Sequence, residues 1–177
     1  MVKATHLLCE YEENPVGVGT GKPAFSWRME GEKDPVFQSS YQIVAALDET
    51  FNQLIWDTGR RFNGRSVCNV YDGGMPLKSA TKYYWKVRLW DQDGEAGPFS
   101  AVHHFVTSLL SGGEEWEGAW ITAESEADFF TSCGHYMKKE FDLPEGEIAS
   151  AYLFASAHGI YEAAVNGIKA GDGILTP

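Results

Sequence analysis

Cysteine is scarce in this sequence, with three residues in 177, far apart and with no pair at the Cys-x-x-Cys spacing. An odd number of scattered cysteines argues against a disulfide framework and suits free thiols in a reducing compartment. The first thirteen residues, MVKATHLLCEYEE, hold only a very short apolar run and so lack the apolar region of a signal peptide. We therefore expect a cytoplasmic protein.

Basic residues and long apolar runs are also in short supply. Lysine and arginine number 14 against 25 aspartates and glutamates, so the formal net charge is -11 at pH 7. This charge repels phosphate backbones and anionic lipid, and no apolar run approaches the roughly 20 residues that a membrane helix needs. We expect neither nucleic acid nor a membrane to be a partner.

Helical periodicity is nearly absent as well, and short alternating segments separated by Gly, Pro, Asn and Asp take its place. The chain is therefore predicted to be all-β. The predicted strands are residues 5–9, 24–29, 40–46, 55–58, 66–70, 83–90 and 102–107. Seven strands in about 107 residues are typical of an immunoglobulin-like or fibronectin type III β-sandwich.

The segment LKSATKYYWKVRL favours the fibronectin type III pattern. Leu77 lies six residues before Tyr83, which is the spacing of a tyrosine corner that enters a core strand. Alternation along the strand then predicts one buried face and one outward face. The predicted core residues are Trp27, Tyr83, Trp85, Val87 and Leu89.

Three segments between the strands are predicted to be irregular. Residues 17–23, GVGTGKP, lack the spacing and the hydroxyl of a phosphate loop, so they are interpreted as a flexible loop. Residues 48–56 form either one helical turn that Asp48 caps or an extended excursion. Residues 97–98 are interpreted as a Gly-Pro turn before the last strand.

A second β module follows the sandwich. The composition changes over residues 109–135, which contain a Gly-Gly pair and many acidic residues, and this change predicts a linker or docking segment. Strands are predicted within 136–144 and 149–157, and Asn166-Gly167 predicts a hairpin turn. Residues 136–177 are too few to close a sandwich, so we expect open strand edges, and a homodimer could form by pairing them.

Seven stretches, in order and spanning nearly the whole chain, resemble the N-terminal part of bacterial α-L-rhamnosidases of the large inverting glycoside hydrolase type. They are NPVGVGTGKPAFSWRM, QSSYQIVAA, LIWDTGR, YYWKVRLWDQDG, GAWI, MKKEFDL and AHGIYEAAVNGIKAGDGILTP. The resemblance implies a fibronectin type III-like domain over residues 1–108 and the start of a jelly-roll β-sandwich over 136–177. In such enzymes these modules precede a helical barrel that carries catalysis.

That resemblance implies a non-catalytic role for this chain, with no cofactor and no catalytic residue. The whole enzyme would hydrolyse terminal α-L-rhamnosides with inversion, and the partners of this chain would be the remaining domains of the same enzyme. The alternatives are a freestanding carbohydrate-binding module and a fibronectin-like module that binds proteins.

The acidic residues support the expectation of no catalysis. Inversion needs two carboxyl groups roughly 6.5 to 9.5 Å apart on a rigid scaffold. The adjacent acids lie in polar, Gly-rich or Pro-flanked segments that are predicted to be solvated loops, and they are Glu114 with Glu115, Glu124 with Glu126 and Asp128, and Glu145 with Glu147.

Metal ligation is not expected either. Asp91 to Glu95, DQDGE, begins like a calcium loop but lacks the later ligands, so a β-turn with Gly94 at positive φ is predicted. Cys133 with His135 provides too few ligands for zinc. The adjacent His103 and His104 should point to opposite faces of a strand.

One set of residues indicates a binding surface. Tyr84, Lys86, Arg88 and Trp90 lie on the outward face of the strand over 83–90. Aromatic and arginine side chains favour docking on a neighbouring domain. Their rings could instead stack on a sugar, or the set could be an ordinary surface.

Overall fold

A computed structural model describes residues 1–32, 35–122 and 134–171. Its contacts divide the chain into two units, Met1–Ala119 and Trp120–Pro177. The strands of the first unit are β1 (Val2–Cys9), β2 (Val16–Val18), β3 (Ala24–Gly31), β4 (Gln38–Ala46), β5 (Leu54–Asp57), β6 (Asn69–Val70), β7 (Lys82–Asp91), β8 (Ala96–Phe99) and β9 (His103–Thr107). A 3₁₀ turn, Gly112–Glu115, follows them. Within the described residues, no helix is long and apolar enough to cross a membrane.

The first unit is a two-sheet β-sandwich. One sheet has the order β1-β3-β6, and the other has the order β2-β9-β7-β4-β5 with β8 also paired to β7. All pairs are antiparallel except β2 with β9. The all-β prediction is confirmed, and each of the seven predicted strands overlaps an observed one.

Aromatic rings from both sheets meet at the centre of the core. The ring of Phe25 on β3 lies 4.6 Å from Trp85 on β7, 5.6 Å from Trp56 on β5 and 5.7 Å from Phe105 on β9, measured between centroids. The predicted core residues Trp27, Tyr83, Trp85, Val87 and Leu89 are all buried. Alternation therefore predicted the buried face of β7 correctly.

The predicted tyrosine corner is present. Leu77 is buried, and the backbone N–H of Lys78 donates a hydrogen bond of 2.7 Å to the hydroxyl oxygen of Tyr83. This bond ties the start of β7 to the segment that precedes it.

Tyr83→Phe should lower the free energy of unfolding by about 1 to 3 kcal/mol, because the partly buried N–H of Lys78 would lose its acceptor. Urea unfolding followed by tryptophan fluorescence measures the loss. Tyr84→Phe, on the outer face, is the matched control and should change stability little. Equal effects of the two substitutions would contradict the assigned role of the Tyr83 hydroxyl.

One prediction about the segments between strands holds only in part, and another is wrong. Residues 19–23 are irregular, as predicted for the loop over 17–23, but residues 17 and 18 belong to β2 because Val16 pairs with Val106 of the distant strand β9. Gly97 and Pro98 lie in β8 and do not form a turn. Pro98 is tolerated there because it lies where the pairing of β8 with β7 is irregular, between Ala96 and Phe99, and it has no ladder partner that would require an N–H.

The second unit contains one hairpin among its described residues, 120–122 and 134–171. It joins β10 (Ala164–Val165) to β11 (Ile168–Lys169). Asn166 and Gly167 both have positive φ, 51° and 80°, so the predicted Asn-Gly turn is confirmed. The strands predicted within 136–144 and 149–157 are not formed, since a strand needs a paired neighbour to satisfy its backbone.

Candidate functional site

The four side chains predicted for the outward face of β7 do lie on the side of the sheet opposite the core. Tyr84, Lys86 and Arg88 are half-buried, and Trp90 is only 8% exposed. The indole of Trp90 therefore offers little free surface, although the other three side chains remain accessible.

Basic and aromatic side chains alternate along this face. The Nζ atom of Lys86 lies 3.7 Å from the ring centroid of Phe51 and 5.1 Å from that of Phe99. The guanidinium carbon of Arg88 lies 4.5 Å from the ring of Phe99 and 5.0 Å from that of Trp90. These distances are those of cation–π contacts.

Arg60 extends the alternation beyond β7. Its guanidinium carbon lies 4.7 Å from the ring of Trp90 and 4.8 Å from that of Phe62, which is 81% exposed. We call these seven side chains the cation-aromatic row, and in order they are Phe51, Lys86, Phe99, Arg88, Trp90, Arg60 and Phe62. Beside the row, Lys82 lies over the ring of Tyr84 at 5.1 Å.

Several elements position the row. β7 supplies Lys86, Arg88 and Trp90, and β8 places Phe99 directly opposite Arg88. The Nε atom of Arg60 donates a hydrogen bond of 2.8 Å to the buried hydroxyl of Ser40 on β4. Strand residues therefore form the centre of the row, and the loop residue Arg60 is tied to the sheet by a hydrogen bond.

Phe51 is positioned by a turn between β4 and β5. The carboxylate of Asp48 accepts hydrogen bonds from the backbone N–H groups of Thr50, Asn52 and Gln53, and one from the Thr50 hydroxyl. Phe51 adopts a φ of 61°, and its N–H donates to the carbonyl oxygen of Asp48. Neither the helical turn nor the extended excursion predicted for residues 48–56 is observed as such, because residues 48–53 form a hydrogen-bonded turn and residues 54–57 belong to β5.

Asp48→Asn should destabilise this turn in a pH-dependent way. The hydrogen bond from Thr50 and those from the backbone N–H groups lower the pKa of Asp48. A depressed carboxyl pKa gives stability that is present above the ordinary value of about 3.9 and is lost as the pH falls through the folded-state value. The stability difference between wild type and Asp48→Asn should therefore shrink from pH 6 to pH 2.5 in urea unfolding. A difference that stays constant would contradict a role for the charge.

Sequence reasoning identified three of the seven row residues, Lys86, Arg88 and Trp90. It missed Arg60 and Phe62, which lie in the loop between β5 and β6, and it also missed Phe51 and Phe99. These four lie outside β7, in three other segments of the chain. Strand alternation predicts neighbours within one strand and carries no information about which loop reaches the same face.

The row is electropositive within an acidic chain. Its cations are Lys86, Arg88 and Arg60, with Lys82 beside them, and no carboxylate among residues 1–32, 35–122 and 134–171 forms an ion pair with any of the four. Arg88 instead donates a hydrogen bond of 2.6 Å to the side-chain oxygen of Gln42. The Nε atom of Arg88 is buried and has no hydrogen-bond acceptor in the described chain.

The two adjacent histidines lie on opposite faces of β9, as predicted. His103 is paired with Trp85 of the core side, whereas His104 is paired with Tyr84 of the outer face. Burial lowers the pKa of His104, and the nearby charge of Lys82 lowers it further. The His104 ring is therefore neutral at pH 7 and adds no charge to the outer face.

The segment Asp91 to Glu95 is a turn, as predicted. Gly94 has a φ of 80°, and its N–H donates to the carbonyl oxygen of Asp91 at 3.0 Å. One carboxylate oxygen of the buried Asp91 accepts hydrogen bonds from the N–H groups of Asp93 and Glu95, each at 3.0 Å. The described residues contain no cluster of three or more potential metal ligands, and Cys133 lies outside them.

The acids considered for catalysis that the structure describes are on the surface. Glu115 accepts hydrogen bonds from the hydroxyl of Ser79 and the N–H of Ser111, and these bonds lower its pKa, so it is ionised at neutral pH. Glu114, Glu145 and Glu147 are exposed. The third group, Glu124, Glu126 and Asp128, lies outside the described residues.

Comparison with known proteins places this geometry in context. The family described as "Rha78A-like, N-terminal immunoglobulin domain" matches residues 4–111. An α-L-rhamnosidase of Formosa agariphila is 32% identical over 99% of the chain, and one of Streptomyces avermitilis is 30% identical over 95% of it. The chain spans about a fifth of the length of these curated relatives, 20% and 18%.

Two solved structures are similar in fold and in sequence. The S. avermitilis α-L-rhamnosidase, crystallised in complex with L-rhamnose, superimposes with a TM-score of 0.66 and 34% identity, over 70% of this chain and 12% of that one. The α-L-rhamnosidase from Dictyoglumus thermophilum superimposes with a TM-score of 0.64 and 35% identity, over 68% of this chain and 14% of the other.

Proposed function

Given that the chain belongs to the Rha78A-like N-terminal immunoglobulin domain family, we propose that it is a non-catalytic part of an α-L-rhamnosidase and docks on other domains of that enzyme. The enzyme as a whole would hydrolyse terminal α-L-rhamnosides with inversion. The role of this chain would be structural, since the described acids among those considered for catalysis, Glu114, Glu115, Glu145 and Glu147, are all exposed.

The observation that carries the docking role is the cation-aromatic row. Protein interfaces are enriched in Trp, Tyr, Phe and Arg, and rigid aromatic and arginine side chains contribute most of the binding energy. The row presents these residue types on a sheet face, and its outermost ring, Phe62, is 81% exposed. Covering Phe62 with a neighbouring domain would remove this apolar surface from water.

Turnover of p-nitrophenyl α-L-rhamnopyranoside tests the proposal. The 177-residue chain should show none, whereas the polypeptide that the gene encodes should hydrolyse the substrate. Turnover by the chain alone, or no turnover by the encoded polypeptide at saturating substrate, would refute the proposal.

Docking is tested in the same assay by Phe62→Ser, with Phe37→Ser as the matched control, because Phe37 is 61% exposed and lies outside the row. In the isolated chain both variants should unfold at the wild-type temperature. In the encoded polypeptide, Phe62→Ser should lower the temperature of irreversible inactivation by several degrees and Phe37→Ser should not. Identical inactivation of the two variants would contradict docking through the row.

Sugar binding and strand-edge dimerisation are the competing outcomes. Calorimetric titration of the chain with L-rhamnose should give no saturable heat, because the cations of the row already lie over its rings. Saturable heat that disappears in Trp90→Ala would indicate a carbohydrate-binding module. Light scattering that gives a dimer mass for the chain would support pairing of strand edges.

A further inference from the structure

We propose that the surface covering the cation-aromatic row is acidic, and that carboxylates of a neighbouring domain of the same polypeptide bind its cations. This inference rests on the proposed function and names the chemistry of the partner. Three features of the described residues support it.

The first feature is the segregation of charge. Aspartate and glutamate outnumber lysine and arginine by 25 to 14 in this chain. Basic side chains distributed at random over its surface would therefore often lie next to a carboxylate. Arg60, Lys82, Lys86 and Arg88 nevertheless share one sheet face and form no ion pair within the described ranges. Two carboxylates lie nearby, Asp57 bonded to Gln42 and Glu49 close to His104, but cations predominate on this face. A mainly cationic patch is complementary to an acidic surface.

The second feature is the fixed position of the cationic groups. Arg60 is hydrogen-bonded to Ser40, Arg88 is hydrogen-bonded to Gln42, and Lys86 lies against two rings. Side chains that are already ordered lose less entropy when they bind. Arginine in particular presents paired N–H donors that match a carboxylate.

The third feature separates a protein surface from a glycan. A sugar stacks through the C–H face of its ring on a free aromatic face, yet the cations of the row lie over its rings and Trp90 is 8% exposed. A carboxylate can approach the cations from above without displacing them from the rings. The row therefore suits an acidic protein surface better than a neutral sugar.

Carbodiimide coupling tests the inference in the encoded polypeptide. The reagent joins a lysine ε-amine to a carboxylate as an amide when the two are in contact, and the carbodiimide takes up the lost water as a urea. We expect cross-linked peptides that join Lys86 or Lys82 to aspartate or glutamate residues outside the 177 residues of this chain. Their yield should fall severalfold between 50 mM and 1 M NaCl, because salt screens the attraction.

Acetylation by N-hydroxysuccinimidyl acetate provides the control. Lys86 should react at least about fivefold more slowly in the encoded polypeptide than in the 177-residue chain. Lys3, whose side chain is 59% exposed on the other sheet, should react equally in both. Equal reactivity of Lys86 in both proteins would overturn docking at this face, while rhamnosidase turnover by the encoded polypeptide would leave the proposed membership of such an enzyme intact.

Protection of Lys86 without any cross-link would overturn the acidic character of the partner. A glycan partner is tested by adding soluble polygalacturonate, an anionic polysaccharide, to the isolated chain and measuring the acetylation of Lys86. Protection of Lys86 by this polymer, together with an absence of cross-links in the encoded polypeptide, would assign the row to an anionic polysaccharide and refute the inference.

Discussion

Gly97→Ala is expected to lower the free energy of unfolding by about 3 kcal/mol or more, since overpacking against backbone forces whole strands to move. Gly97 lies in the short strand β8 and is buried. A Cβ atom at this position would lie 1.8 Å from the carbonyl oxygen of Val2 and 2.9 Å from its carbonyl carbon. Because the obstacle is the backbone of β1, no rotation of a side chain can relieve the clash, and β1 must separate from β8.

The control for this prediction is Gly74→Ala, because a Cβ atom at Gly74 would meet no atom within 4 Å. That variant should stay within about 0.5 kcal/mol of wild type, as surface substitutions usually do. Urea unfolding followed by tryptophan fluorescence gives both values. If Gly97→Ala were as stable as Gly74→Ala, the close contact between β1 and β8 would be disproved.

Trp85→Ala is expected to cost about 3 to 5 kcal/mol, the usual range for removing a large buried aromatic ring. Trp85 is 1% exposed and its ring centroid is 4.6 Å from that of Phe25 on the opposite sheet. The substitution would leave a cavity between the two sheets at the place where four aromatic rings meet. The destabilisation should appear as a lower midpoint in urea with a broadly unchanged slope.

Tyr84→Ala is the matched variant for Trp85→Ala. Tyr84 is the preceding residue on β7, but its half-buried ring lies on the outer face, under Lys82. We expect a loss of about 1 kcal/mol or less, mainly from the exposed cation–π contact. Equal losses for the two neighbours would mean that β7 does not separate a core face from an outer face.

β7 shows why much of the fold could be predicted. Every second residue from Tyr83 to Leu89 is large and apolar, and the residues between them carry charge or a hydroxyl. Burial of the apolar set is favourable, and the polar set is best left in contact with water, so only one orientation of the strand satisfies both. The turn at Asn166-Gly167 was predictable for a similarly local reason, because these residues tolerate the positive φ that a tight hairpin requires.

β2 and β8 show where local reasoning fails. Val16–Val18 becomes a strand only because β9, about 90 residues later in the chain, presents a free edge to it. Gly97 and Pro98 resemble a turn in composition, yet β7 pairs with the residues on either side of them, Ala96 and Phe99, and Val2 packs against Gly97. In both cases the strand or residue that decides the structure is distant in sequence, so it cannot be identified from the residues that flank the segment.

The amino-acid sequence by itself determined the all-β class, the acidic charge, the tyrosine corner and which face of β7 is buried, because alternation and turn chemistry act between neighbours along the chain. Only the tertiary structure decided that Phe51, Arg60, Phe62 and Phe99 join Lys86, Arg88 and Trp90 in one row. Cation–π contacts depend on distances of a few ångströms between groups on separate loops and strands. Those distances are set by how the strands pair and how the connecting loops turn.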